Sequence, residues 1–244
     1  MRNVRLDICY DGTRYRGWQR LPGYDNTIQG KLETVLSRIL EEPIEVVGSG
    51  RTDAGTHAMR QVVNFHCMSN LPTSQILSQL RRYLPEDIGI YSCKNVSERF
   101  HARLNAKTKT YRYRVWNSSD PCVFDRKFVY IHPENLDLER MLIASKSFLG
   151  EHDFSAFCAN KNMKKSTVRY IENFAIYRNG NEIIFHVTGN GFLHHMVRIM
   201  VGTLLEIGRG ERNVESIPQL FGAERSNAGG LIPACGLCLM EVNY

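Results

Sequence analysis

Val4, Leu6, Ile8 and Tyr10 alternate with Arg5, Asp7 and Cys9, the two-residue period of a strand with one buried face. The period then lengthens. After Thr27, the residues Ile28, Leu32, Val35, Leu36, Ile39 and Leu40 recur at helical spacing until Pro43 stops the run. Ile44–Val47 and Arg60–Cys67 have strand character. Thr73 is the expected cap of a second amphipathic helix through Ile76, Leu77, Leu80, Tyr83 and Leu84, and Ile88–Val96 forms a fourth strand. This β-α-β-β-α-β order is that of the ferredoxin-like unit. The second half repeats it with a strand at Lys109–Trp116, a helix at Asp137–Leu149 and strands at Val168–Tyr177 and Glu182–Thr188. A long helix at Phe192–Ile207, a short helical segment and a last strand at Ala234–Val242 complete the half. The halves share element order but no residue-level similarity. The expectation is an α+β fold of two ferredoxin-like halves, 1–105 and 106–244, with largely antiparallel sheets and a central cleft.

Composition narrows the partners. Of 244 residues, 31 are Lys or Arg and 25 are Asp or Glu, a formal charge of +6 that favours a polyanionic partner. No apolar run approaches the roughly 18 residues of a membrane helix, and the first ten residues lack a leader's apolar centre, so a cytoplasmic protein is expected. Seven cysteines, an odd and scattered set, suit reduced thiols. Cys235 and Cys238 have ligand spacing, but no second pair accompanies them. In an extended run, residues three apart face opposite sides, so no metal is expected there.

The stretch with most chemical content is Gly48-Ser-Gly-Arg51-Thr52-Asp53-Ala-Gly55-Thr56-His57-Ala58, glycines around a single carboxylate. A phosphate-binding loop would need Lys-Ser/Thr where Thr56-His57 stands, and a helix rather than a strand after it. A glycosidase would need two carboxylates. A tight turn in which Asp53 bonds its own backbone satisfies the spacing equally well. From Arg99 to Arg114 there are six cations (Arg99, Arg103, Lys107, Lys109, Arg112, Arg114), no acid, and the interleaved aromatics Phe100, Tyr111 and Tyr113. That mixture serves either a solvated strand face or phosphate contacts beside base stacking. Two further basic clusters, Arg14, Arg16 and Arg20 around Tyr15 and Trp18, and Lys161, Lys164 and Lys165 with Arg169, could line the path of a nucleic-acid arm.

Arg51-Thr-Asp53-Ala-Gly-Thr56-His-Ala58 resembles the R-T-D-x-G-V-H-A signature of the tRNA pseudouridine synthase A family. The segments Tyr10–Gln19, Lys109–Tyr113, Gly189–Arg198 and Pro233–Leu237 resemble further family segments in the same order. Together they span essentially the whole chain. Thr56 stands where Val is usual, and His194 where Tyr is common.

The resemblance implies an isomerase that converts uridine to pseudouridine in the anticodon stem-loop of tRNA, at positions 38, 39 and 40. It implies a homodimer without cofactor, and makes the cleft an RNA-binding one. Asp53 takes the role of nucleophile, Tyr111 stacks on the target base, Arg51 holds the place of the flipped base, and Arg198 pairs with the Asp53 carboxylate. Read from the helix alone, Arg198 could instead be a solvated residue opposite the stripe Met196, Met200 and Leu204. A paralogue acting on ribosomal RNA and a non-catalytic RNA-binding protein are the alternative readings.

Overall fold

A computed structural model describes residues 1–160 and 163–244. Lys161, placed above in a basic cluster, lies outside the described residues. The chain forms two compact units, Met1–Lys107 with Leu239–Tyr244, and Thr108–Cys238. The sequence division placed the last strand wholly in the second half, whereas its final residues belong to the first unit. There the carbonyl of Asn243 accepts from the Lys107 N–H at 2.8 Å, and the Tyr244 hydroxyl donates to the Ala102 carbonyl at 2.7 Å.

The first unit contains β1 (Arg2–Tyr10), α1 (Ile28–Leu40), β2 (Val46–Gly48), β3 (His57–Cys67), α2 (Thr73–Tyr83) and β4 (Ile88–Val96). β1 lies between β3 and β4, antiparallel to both, and β2 runs antiparallel to the far end of β3. That is the ferredoxin-like strand order. Alternation in β1 puts Val4, Leu6 and Ile8 fully inside, and α1 and α2 bury Ile28, Leu32, Leu36, Ile76 and Leu80. Each such side chain contributes about 1.5–3 kcal/mol on burial. Thr27 caps α1 by accepting from the Gly30 N–H. The expected cap of α2 is displaced: Thr73 is the first helical residue and Pro72 precedes it, without a side-chain cap. Pro is preorganised for a helix start, and Pro85 ends the helix by holding Leu84 extended.

The second unit contains β5 (Thr108–Trp116), β6 (Tyr130–Ile131), α3 (Leu138–Ser145), β7 (Gly150–Asp153), β8 (Val168–Asn179), β9 (Glu182–Gly189) and α4 (Met196–Gly208). β10 (Leu237–Asn243) begins at its end. β9 lies between β5 and β8, and β7 edges β8, all antiparallel; the two-residue β6 pairs with β5 in parallel. β6 and β7 were not expected, being too short to show a period. The fold is α+β with largely antiparallel sheets.

α4 starts four residues later than its sequence suggests, because His195 takes a left-handed conformation at φ 64°. Eleven of its thirteen residues are buried, so Arg198 sits in a helix that is interior almost all round, not on a solvated face. The turn Ser155–Phe157 packs on this helix and belongs to an aromatic cluster of Phe148, Phe154, Phe157, Phe174 and Phe221, whose members come from four separate segments.

Candidate active site

Residues 49–56 join β2 to β3 and carry Arg51 and Asp53. What fixes this loop is the segment 11–18, which follows β1. The Tyr10 hydroxyl meets Thr52 Oγ1 at 2.8 Å in a buried contact, and the Thr52 carbonyl accepts from the Trp18 N–H at 3.0 Å. After Asp53, the N–H of Gly12 donates to His57 Nδ1 at 3.0 Å, and that nitrogen lies 3.2 Å from Asp11 Oδ1. The loop is thereby gripped on both sides of its carboxylate. Within it, the Thr56 N–H donates to the Asp53 carbonyl at 3.1 Å, a turn completed by Gly55 at φ 78°. Ser49 and Gln61 close the base: Gln61 Nε2 donates to the Gly50 carbonyl at 2.9 Å, and its Oε1 accepts from the Ser49 hydroxyl.

Two glycines permit this grip. A Cβ on Gly12 would lie 2.0 Å from the Thr56 carbonyl oxygen. One on Gly17, at φ 93°, would lie 2.7 Å from that of Thr52. The Asp-Gly and Arg-Gly-Trp elements of 10–19 therefore shape the carboxylate loop, a role that no pattern in the sequence signals. In the same segment Tyr15 and Trp18 are buried between the exposed Arg14, Arg16 and Arg20, and the Tyr15 hydroxyl donates to Asp87. Burial first, then that carboxylate, push its pKa above the ordinary tyrosine value. Arg14 pairs with Asp87 at 2.9 Å, and Arg20 with Glu33 at 2.8 Å.

Asp53 is half-buried and Arg51 exposed. The hydroxyl of Thr56 is buried with no hydrogen-bond partner among the described residues. Valine has the same shape without the unsatisfied group, whose burial costs about 1–3 kcal/mol. Thr56→Val is therefore expected to raise the melting temperature by several degrees, about 2–4 °C per kcal/mol in a chain of this size, as thermal unfolding would measure.

In the second unit, Tyr111 lies on β5 with its ring buried edge-on against Phe192, centroids 5.1 Å apart. Tyr113, two residues on, has a different job. It is fully buried, its hydroxyl donates to the Pro233 carbonyl at 2.6 Å, and burial holds its pKa far above the ordinary value. Arg198 donates from Nε to the Ile232 carbonyl at 2.8 Å, which anchors one edge of its guanidinium. Arg114 belongs to an ion-pair set with Glu182 at 2.6 Å and Asp125 at 3.2 Å, so it is not an open cation as its run suggested. Cys235 sits in a 3-10 turn rather than the expected strand, its thiol donating to the Val129 carbonyl at 3.3 Å and pushed up in pKa by burial.

A family model described as tRNA pseudouridine synthase matches residues 8–105 and 144–244, and the chain belongs to that family. The matched residues take in the 10–19 segment, the Asp53 loop and Arg198; Tyr111 falls between the two blocks. Full-length relatives align through it. tRNA pseudouridine synthase A of Bacillus sp. (strain KSM-64) is 44% identical over 244 residues, covering 100% of both chains. tRNA pseudouridine synthase A 2 of Bacillus cereus (strain ZK / E33L) is 43% identical over 245 residues. The A 1 enzyme of Clostridium tetani (strain Massachusetts / E88) is 44% identical over 247 residues, each again covering 100% of both chains. Among solved structures, a Cbf5-Nop10-Gar1 complex aligns with a TM-score of 0.40 at 11% identity, covering 97% of this chain and 48% of that one.

Proposed function

We propose that Asp53 is the nucleophile of a uridine isomerisation, with Arg51, Tyr111 and Arg198 serving the same reaction. The protein is an isomerase that converts uridine to pseudouridine in tRNA. The observation that carries the Asp53 assignment is the two-sided grip on its loop, which fixes the backbone around a single half-buried carboxylate. Fixing a reacting group in advance lowers the entropy cost of attack. In the reaction the N1–C1′ bond breaks, the base turns, a C5–C1′ bond forms, the C5 proton is lost and N1 takes up a proton. Reactant and product are isomers, so the balance needs no oxidant or reductant. A carboxylate serves attack at C1′ or at C6 equally.

Tyr111, held edge-on by Phe192, offers a ring for stacking on the target base, and Arg51 the group that fills the space of a flipped one. The finer reading is the anticodon arm, at positions 38, 39 and 40, modified by a cytoplasmic homodimer. The +6 charge supports a folded polyanion as substrate. Tritium release from C5-labelled uridine in unmodified tRNA transcripts, with pseudouridine mapping of the products, tests both parts. Conversion at 38–40 is expected; conversion confined to a ribosomal fragment would refute the site while leaving the chemistry.

Arg198 gives a separate test. Lysine cannot keep the Nε bond to Ile232 and also present a planar fork. Arg198→Lys is expected to lower kcat by roughly tenfold to a hundredfold, the scale of a charged hydrogen bond. Single-turnover kinetics separate this from a KM effect, which would make Arg198 a binding group.

A further inference from the structure

The second unit's sheet has two unlike faces. Tyr113, Val115, Ile183, Phe185 and Val187 are buried on one, and the alternate residues of β5 and β9 point the other way. On that second face Arg114 is neutralised by Glu182 and Asp125, whereas Arg112, one row along, has no ion pair among the described residues. Its Nε is shut away from solvent without an acceptor among the described residues. Directly across the ladder from Arg112 stands His186, and in the next row the hydroxyls of Thr110 and Thr188 meet at 2.9 Å. Tyr177 lies parallel to the His186 ring, centroids 6.0 Å apart.

We propose that this face carries a phosphodiester-binding site centred on Arg112 and flanked by His186, Thr110 and Thr188, apart from the residues proposed for the isomerisation. The ligand follows from the chemistry. The guanidinium has no carboxylate partner among the described residues. The His186 Nε2 contacts the Tyr177 hydroxyl at 3.4 Å, and the two threonine hydroxyls share one hydrogen bond. The guanidinium is therefore the group left to take an anion, and a tetrahedral oxyanion accepts from several neighbouring donors at once. Burial, and then the Arg112 charge, hold His186 below its ordinary pKa. The cluster therefore carries one localised positive charge, suited to one phosphate. The net charge of +6 makes a polyanion a better occupant than a second copy of the same cationic chain.

The proposal rests on RNA being the substrate. Its test is tRNA binding by filter retention over a range of salt, for wild type, Arg112→Gln and Arg112→Lys, with kcat at saturating tRNA measured alongside. Arg112→Gln should bind at least about threefold more weakly, with the slope of log K against log salt shallower by roughly 0.7–0.9, one phosphate contact. The slope should return with Arg112→Lys, and kcat should stay at the wild-type value. Unchanged affinity and slope in Arg112→Gln would overturn the site. So would loss of a dimer by light scattering with the slope unchanged, since the face would then belong to a second copy. Wild type that binds tRNA without forming pseudouridine would instead refute the catalytic reading.

Discussion

Asp53→Asn is expected to lower pseudouridine formation by about four orders of magnitude or more while leaving tRNA affinity nearly unchanged, the signature of losing a covalent nucleophile. The amide keeps the shape of the side chain, and the loop around it is held by other groups: Thr52 by Tyr10 and Trp18, His57 by Gly12. The fold and the binding surface therefore survive the change. Tritium release and filter binding on the same preparation separate the two quantities. Substantial turnover by the Asn variant would remove Asp53 from the reaction.

Gly12→Ala is expected to be as damaging by a purely steric route. The new methyl would lie 2.0 Å from the Thr56 carbonyl oxygen and 2.6 Å from its carbon, and backbone on that side cannot turn aside as a flexible side chain would. Either the unit loses about 3 kcal/mol of stability or the Asp53 loop moves outward, and each outcome costs activity. Gly230→Ala, where a Cβ meets nothing within 4 Å, is the control and should melt within a degree or two of wild type. Denaturant unfolding and turnover together decide; a Gly12→Ala protein that is both stable and active would disprove the grip.

The elements with long, clean periods were legible in the sequence: β1 through Val4, Leu6 and Ile8, α1 from Thr27 to Pro43, and β4 at Ile88–Val96. Errors fell at ends, where one backbone angle decides. His195 in the left-handed region delays α4, and Pro72 displaces Thr73 as the cap of α2. The Asp53 loop was visible through its glycines and a recognised signature, but its support was not. The contact of Gly12 with Thr56 spans more than forty positions, and Tyr15 and Trp18 pack inward while the arginines around them stay exposed. Pairing neutralises Arg114, whose partners Asp125 and Glu182 lie in other segments. Charge runs show where cations are, not which are already neutralised.

The return of Leu239–Tyr244 to the first unit sets an order on synthesis. Residues 1–107 leave the ribosome early, yet the groups that accept from Lys107 and donate to Ala102 emerge only after all of Thr108–Cys238. Arg5 likewise waits for the ring of Tyr244, which it covers at 4.9 Å. The nascent first unit therefore spends the whole translation of the second with the part of β3 that borders β10 unpaired, an open strand edge of the kind that recruits other chains.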